Sequence, residues 1–263
     1  MRIGKQSEPF TAIATSDEHS ITVRGRDLCS ELIGKIGFTD YFFFLVTGQQ
    51  PTENQRFFLD ALMVAIAEHG LVPSVQAARM TYDAGPEAFH GAVAAGLLGC
   101  GSVVFGSSEA AGRFLHSLVE QGGDPEAVAR AAVTELRAGK KPIPGYGHPQ
   151  HASGDPRANV LLKLADERGA SGAYIAMLRT VAKIIPDIVG RPLPINVSGA
   201  IPAILLDIGF PLNGLKGVPL LARTAGLIAH LTEEAERQIG FIMSHHADLA
   251  IQYDGPPAKT AEA

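Results

Sequence analysis

The chain has 263 residues, enough for a large core in one domain or two; 46% are hydrophobic but only 6% aromatic, with no Trp, so its interior must rely on close helix packing over small side chains. A net charge of −5 without a basic block argues against a nucleic-acid surface, and leaves any anionic ligand to a few placed arginines. Cys29 and Cys100 lie in unrelated contexts that suggest neither a disulfide framework nor a zinc site, and with no signal-like N-terminus and no apolar run of the roughly 20 residues a spanning helix needs, the expectation is a soluble, cytoplasmic protein without a metal.

In chain order, Thr11-Ala12-Ile13-Ala14-Thr15 and Ser20-Ile21-Thr22-Val23-Arg24 alternate around the polar Ser16-Asp17-Glu18-His19 and read as a short hairpin. Helices are expected over 26–36, stopped at Gly37, and over 39–47, stopped at Gly48. The next is strongly marked: Thr52 caps it with Gln55 in the capping-box position, Phe58, Leu62 and Ile66 line its apolar face, and Gly70 ends it. Further helices are expected over 74–84, 86–98, 107–121 and 125–138, the second rich enough in Ala and Gly to be packed on all sides and the last capped by Asp124. Four more follow over 156–167, 172–185, 198–208 and 218–240, and the tail from Asp254 is expected to be disordered. Every long segment has the helical period and strands do not alternate with helices, so the class is all-α apart from the N-terminal hairpin.

Glycines, prolines and two histidines crowd together only in Pro144-Gly145-Tyr146-Gly147-His148-Pro149-Gln150-His151, between long helical patterns. Gly145 and Gly147 let backbone approach a ligand, and His148 can carry a proton near neutral pH. Asp155-Pro156 reads as an N-cap with Pro at the first helical position, which puts Arg157 in the first turn. His69, in Glu68-His69-Gly70 at a helix end, is either a partner of the helix dipole or a poised donor. Arg223, flanked by Leu, Ala and Gly, calls for a carboxylate, internal or from a ligand. His116 and His230, inside amphipathic helices, read as half-buried structural residues, as does His90; His245-His246 is a surface pair or a ligand contact.

Assembled, these segments resemble the citrate synthase superfamily, and in its short length the chain most resembles the citryl-CoA lyase branch, the lyase module of ATP-citrate lyase included. Val23-Arg24-Gly25-Arg26-Asp27-Leu28 is similar to the family's early Arg-Gly segment, and Phe44-Leu45-Val46-Thr47-Gly48-Gln49-Gln50-Pro51-Thr52 to its Leu-Leu-x-Gly-x-x-Pro-Thr. Glu68-His69-Gly70 matches Asp-His-Gly, Gly145-Tyr146-Gly147-His148 matches Gly-x-Gly-His, and Ala222-Arg223-Thr224-Ala225-Gly226 matches Ala-Arg-x-x-Gly. The resemblance implies a large helical domain, here 1–105 with 215–263, and a small one, 106–214, closing on substrate in a cleft of an obligate homodimer. It implies that His148 contacts the keto or hydroxyl oxygen of an oxaloacetate or citryl unit, that His69, Arg157 and Arg223 hold carboxylates, and that coenzyme A lies along Gly145, Tyr146 and Gly147. The coenzyme A thioester is then substrate or product, and no cofactor is bound permanently.

Three departures separate this chain from the family pattern. Ile195-Asn196-Val197-Ser198-Gly199 has a serine where the family has the catalytic carboxylate of Asn-Val-Asp, and a serine of ordinary pKa cannot serve as that base. Gly101-Ser102-Val103-Val104-Phe105-Gly106 has Val104 in place of the synthases' thioester-polarising histidine, which lyase modules also lack. An arginine that the family supplies across subunits is replaced near His245. The leading expectation is therefore cleavage of a β-hydroxyacyl-CoA, citryl-CoA to acetyl-CoA and oxaloacetate, with His148, His69 and Ser198 in the chemistry. The alternatives are another acyl-CoA condensing or hydrolysing enzyme on this scaffold, and a non-catalytic homologue that binds CoA and carboxylates.

Overall fold

The computed structural model describes residues 9–101, 106–147 and 154–256. The chain is mostly helical, with three short antiparallel strands at the start, β1 (Ala14–Ser16), β2 (Ile21–Val23) and β3 (Arg26–Asp27), in that order. Asp17 shapes the first turn by accepting the backbone N–H groups of His19 and Ser20, both at 2.8 Å. The second turn is the two-residue Arg24-Gly25, closed by the Val23–Arg26 pair, with φ of 49° and 82° as a mirror-image hairpin turn requires. The Arg24 guanidinium donates to the Leu45 carbonyl at 2.7 and 3.1 Å, tying this turn to the end of α1 (Phe38–Thr47).

The helix expected over 26–36 is not formed. Arg26 and Asp27 continue the sheet, and one π-helical turn follows, Leu28–Leu32. Asp27 caps that turn through the Ser30 N–H while Glu31 reaches back to the Asp27 N–H, and Gly34 at φ 74° turns the chain away. Local capping thus completes a single turn and no more.

Ten further α-helices follow among the described residues: α2 (Glu53–Ala67), α3 (Pro73–Ala84), α4 (Phe89–Leu98), α5 (Gly106–Gln121), α6 (Pro125–Ala138), α7 (Pro156–Glu167), α8 (Ala173–Val189), α9 (Val197–Asp207), α10 (Gly217–Glu236) and α11 (Gly240–Ala250). The Thr52–Gln55 capping box forms reciprocally at 2.8 and 3.3 Å, and Asp124 and Asp155 cap α6 and α7. Helix α4 starts three residues later than expected and buries one face only, with Ala92 and Gly96 inside and Leu98 exposed. The helix expected over 218–240 forms as α10 but stops at Glu236, because the Glu234 carboxylate accepts the N–H groups of Ile239 and Gly240 and turns the chain; α11, beyond it, was not expected.

Packing divides the chain into two compact units, Met1–Ala65 with Phe105–Pro219 and Ile66–Val104 with Leu220–Ala263, the cuts falling inside α2 and α10. In the first, α9 is the centre: Val197 and Gly199–Leu206 are all buried, with α5, α7 and α8 packed around them. Each fully buried Ile or Leu there, such as Ile201, Ile204 and Leu205, is stabilised by about 1.5–3 kcal/mol of transfer free energy. In the second, Val75 and Ala78 of α3, Ala92 of α4 and Leu227 and Leu231 of α10 form the core. No helix among the described residues is long and apolar enough to cross a membrane.

Candidate active site

Within the first unit, three chain segments meet at the start of α9. Gly145 and Gly147 have φ of 92° and 81°, values that a side chain rarely tolerates. The Asn196 N–H donates to the Gly145 carbonyl at 3.0 Å, its side-chain amide donates to the Gly147 carbonyl at 2.7 Å, and the Gly147 N–H returns to the Pro194 carbonyl at 2.8 Å. The contact is backbone against backbone: a Cβ on Gly199 would lie 2.7 Å from the Gly145 oxygen, and one on Gly145 2.9 Å from the Gly199 Cα. Asn196 also caps α9 by accepting the Gly199 N–H at 3.1 Å, so one side chain fixes both helix and loop. Tyr146 has its ring buried and its hydroxyl donating to the Leu178 carbonyl at 2.7 Å, and burial pushes its phenol well above the ordinary value. It anchors the loop.

Asp155 approaches the same point from α7. One oxygen accepts the Arg157 N–H at 3.1 Å and Nε at 3.0 Å, and the other accepts Arg157 Nη2 at 3.0 Å and the Val197 N–H at 2.9 Å. A single carboxylate therefore caps α7, pairs two-pronged with Arg157 and holds the first residue of α9. Full burial by itself raises the Asp155 pKa, but the Arg157 hydrogen bond and charge and the Val197 N–H outweigh it and hold the carboxyl below the usual range. Ser198, half-buried in the first turn of α9, accepts a hydrogen bond from Ser107 of α5 at 3.0 Å. Four residues on, Pro202 has no N–H to return to the Ser198 carbonyl.

Within the second unit, a different group of charges surrounds the end of α2. That helix stops at Ala67, and the Glu68 carboxylate folds back to accept the His69 N–H at 2.8 Å and the Gly70 N–H. The other Glu68 oxygen accepts His230 Nε2 at 2.9 Å and lies 3.9 Å from Nη1 of the buried Arg223. Arg223 Nη2 donates to the Ile66 carbonyl at 3.3 Å. Partial desolvation raises the Glu68 pKa, and the bonds from His230 and from the backbone of His69 and Gly70 more than reverse it. Helix α10 reaches this turn because Gly226 has no side chain; a Cβ there would stand 2.2 Å from the Ala67 oxygen. Beyond His230, Arg79 donates Nε to its Nδ1 at 3.2 Å and pairs with Glu234 at 2.9 Å and with Glu233.

The expected site residues thus fall into two sets. Gly145, Tyr146, Gly147, Arg157 and Ser198 come together in one unit, and His69 and Arg223 in the other. His148 and Val104 lie outside the described residues. His245 is exposed on α11, its ring 6.1 Å from that of His246. Reading by residue type missed Glu68, Arg79 and Ser107, whose partners are distant in sequence. The seven-residue interval from Arg223 to His230 on one helix face was the available signal for two of the three. Among the described residues no cluster of His, Cys, Asp and Glu is arranged to hold a metal ion.

A family model described as citrate synthase, C-terminal domain, matches residues 11–242. A putative citrate synthase 2 of Mycobacterium tuberculosis is 30% identical over 215 residues, which cover 78% of this chain and 53% of that protein. The citrate synthase of Deinococcus radiodurans is 27% identical over 200 residues, 74% of this chain and 52% of its own. The chain spans about half the length of the curated relatives it matches. Among solved structures, the citryl-CoA lyase of Hydrogenobacter thermophilus aligns with a TM-score of 0.85 at 32% identity, over 99% of this chain and 98% of that one. The ATP citrate lyase of Methanothrix soehngenii, solved with citrate and coenzyme A, shares the fold at a TM-score of 0.78 and 22% identity, over 99% of this chain and 44% of its own.

Proposed function

The chain belongs to the citrate synthase family, and on that premise we propose that it is a carbon–carbon lyase that cleaves a β-hydroxyacyl-CoA, citryl-CoA to acetyl-CoA and oxaloacetate. The observation that carries the reading is similarity over 99% of this chain to a citryl-CoA lyase, at a TM-score of 0.85 and 32% identity. In this reading residues 106–214 form the small domain, and the active unit is a homodimer.

The reaction needs a base at the hydroxyl, cations on the carboxylates and a means of stabilising an enolate. His148 takes the hydroxyl proton. The bond between the carbinol carbon and the thioester α-carbon breaks, leaving a keto acid, and its electron pair forms the acetyl-CoA enolate. A proton from water or His69, relayed at most by Ser198, completes the methyl group. Backbone N–H groups stabilise the enolate, coenzyme A lies along Gly145, Tyr146 and Gly147, and Arg157, Arg223 and His245 face the carboxylates. The carboxylate absent at Ser198 is worth on the order of 10²- to 10⁴-fold, and because cleavage and condensation share one enolate its absence slows both.

A second reading, a non-catalytic homologue that binds CoA and carboxylates, is supported by Ser198 and by the internal carboxylates that Arg157 and Arg223 already meet. Acetyl-CoA release from citryl-CoA separates the two. The lyase turns over and loses turnover in His148→Ala, whereas absence of turnover with every hydroxyacyl-CoA tried removes the enzyme reading. Ser198→Asp then discriminates a weakened lyase, which gains on the order of 10²-fold or more, from chemistry that does not use this position.

A further inference from the structure

We infer that His230 is a positioning residue for the Glu68–His69–Gly70 turn: as a neutral imidazole it relays order from the buried Arg79 to the Glu68 carboxylate, and so holds the backbone of His69 and the counter-charge beside Arg223. The inference rests on the lyase reading for its effect on activity, since that reading gives His69 and Arg223 their substrate roles.

The direction of the relay follows from donor and acceptor types. An arginine Nε–H can only donate, so His230 Nδ1, 3.2 Å away, must accept and carries no proton. The ring proton is then on Nε2, which lies 2.9 Å from Glu68 Oε2 and donates to it. Two partners of opposite type thereby select one tautomer of the ring.

The far end of the relay is rigid. Arg79 and Glu234, 2% and 0% exposed, are paired at 2.9 Å, and the second Glu234 oxygen is held at 2.6 and 2.7 Å by the N–H groups of Ile239 and Gly240. Glu233 also pairs with Arg79. The near end is not rigid without help, because the Glu68 side chain is 47% exposed. Its two backbone bonds reach only the adjacent turn, and what ties the carboxylate to the core is the bond from His230 together with the looser 3.9 Å ion pair to the buried Arg223. This is the arrangement by which an outer hydrogen bond orients a working group, and loss of such a bond costs about 10- to 100-fold where it has been measured at metal sites.

A histidine that merely fills space between α3 and α10 would be replaced without loss by a hydrocarbon of similar size, so two substitutions separate the roles. Glutamine offers an acceptor and a donor on one non-titrating amide, and leucine offers neither. With citryl-CoA as substrate, His230→Leu is expected to lower kcat/KM by about 10- to 100-fold, chiefly as a rise in KM, and His230→Gln to recover most of that loss. Equal activity of the two variants overturns the relay, whether both are active or both are impaired. Long-range 15N NMR of the unsubstituted protein reads the same claim without any substrate. An Nε2–H neutral ring at residue 230 supports it, and an Nδ1–H tautomer or a cationic ring at neutral pH overturns it. Absence of turnover by the wild-type chain, by contrast, counts against the lyase reading alone and leaves the NMR result to decide the relay.

Discussion

Asp155 illustrates how much one side chain can carry, since its two oxygens serve the Arg157 guanidinium and the backbone of two helix starts. Asp155→Asn keeps an acceptor for the cap but leaves Arg157 without its counter-charge, so we expect a loss of about 3 kcal/mol in urea unfolding at pH 7. The sign of the pH dependence is set by its lowered pKa. Its ionised form stabilises the fold above the unfolded-state value of about 3.9, and that stabilisation is lost as pH falls through the lower folded value. The gap between wild type and variant should therefore be constant near neutrality and narrow below about pH 4. The Asp-Pro-Arg spacing made both the cap and the placement of Arg157 readable in advance. The Val197 N–H was not readable, because nothing local brings residue 197 to residue 155.

Among the elements, α10 shows why a glycine within a helix can be required. Gly226 faces the Ala67 carbonyl with room for hydrogen only, whereas Gly217, in the same helix, has no neighbour within 4 Å of where a Cβ would stand. Gly226→Ala should therefore cost about 1–3 kcal/mol by overpacking. Gly217→Ala should be neutral, or gain up to about 1 kcal/mol from helix propensity. Thermal unfolding of the pair distinguishes a packing requirement from a general intolerance of substitution in α10. The misread elements have a common cause. Segment 26–36 has the helical pattern, but pairing of Arg26 and Asp27 with β2 takes its first residues. The helix expected over 218–240 is cut short at Glu236 by a side chain, Glu234, that captures two backbone donors ahead of it.

For the whole molecule, we propose a homodimer, which the family resemblance implies and the exposed face of α11 supports. That helix buries little beyond Gly240 and exposes Phe241, Ile242 and Leu249, followed by Ile251 and Tyr253, an apolar surface that ordinarily has a partner. Light scattering of the purified chain should give the mass of two copies. Phe241→Glu should shift the population toward one copy if α11 lies in the interface, and a wild-type chain that scatters as a single copy at micromolar concentration would remove the proposal.

Caps, helix periods and residue chemistry were determined by the sequence alone, because each depends on residues within a turn of one another: Thr52 with Gln55, Asp124 with the Ala127 N–H, and Asp155 with Arg157. The all-α class and the family followed from the same short segments. Only the tertiary structure decided which cations already have counter-charges and which hydroxyls meet. Arg79 finds Glu234, Arg223 finds Glu68 and Ser107 finds Ser198 across long stretches of chain. Such pairings are set by how helices pack, and packing depends on the shape of whole apolar faces rather than on the spacing of the charged residues themselves.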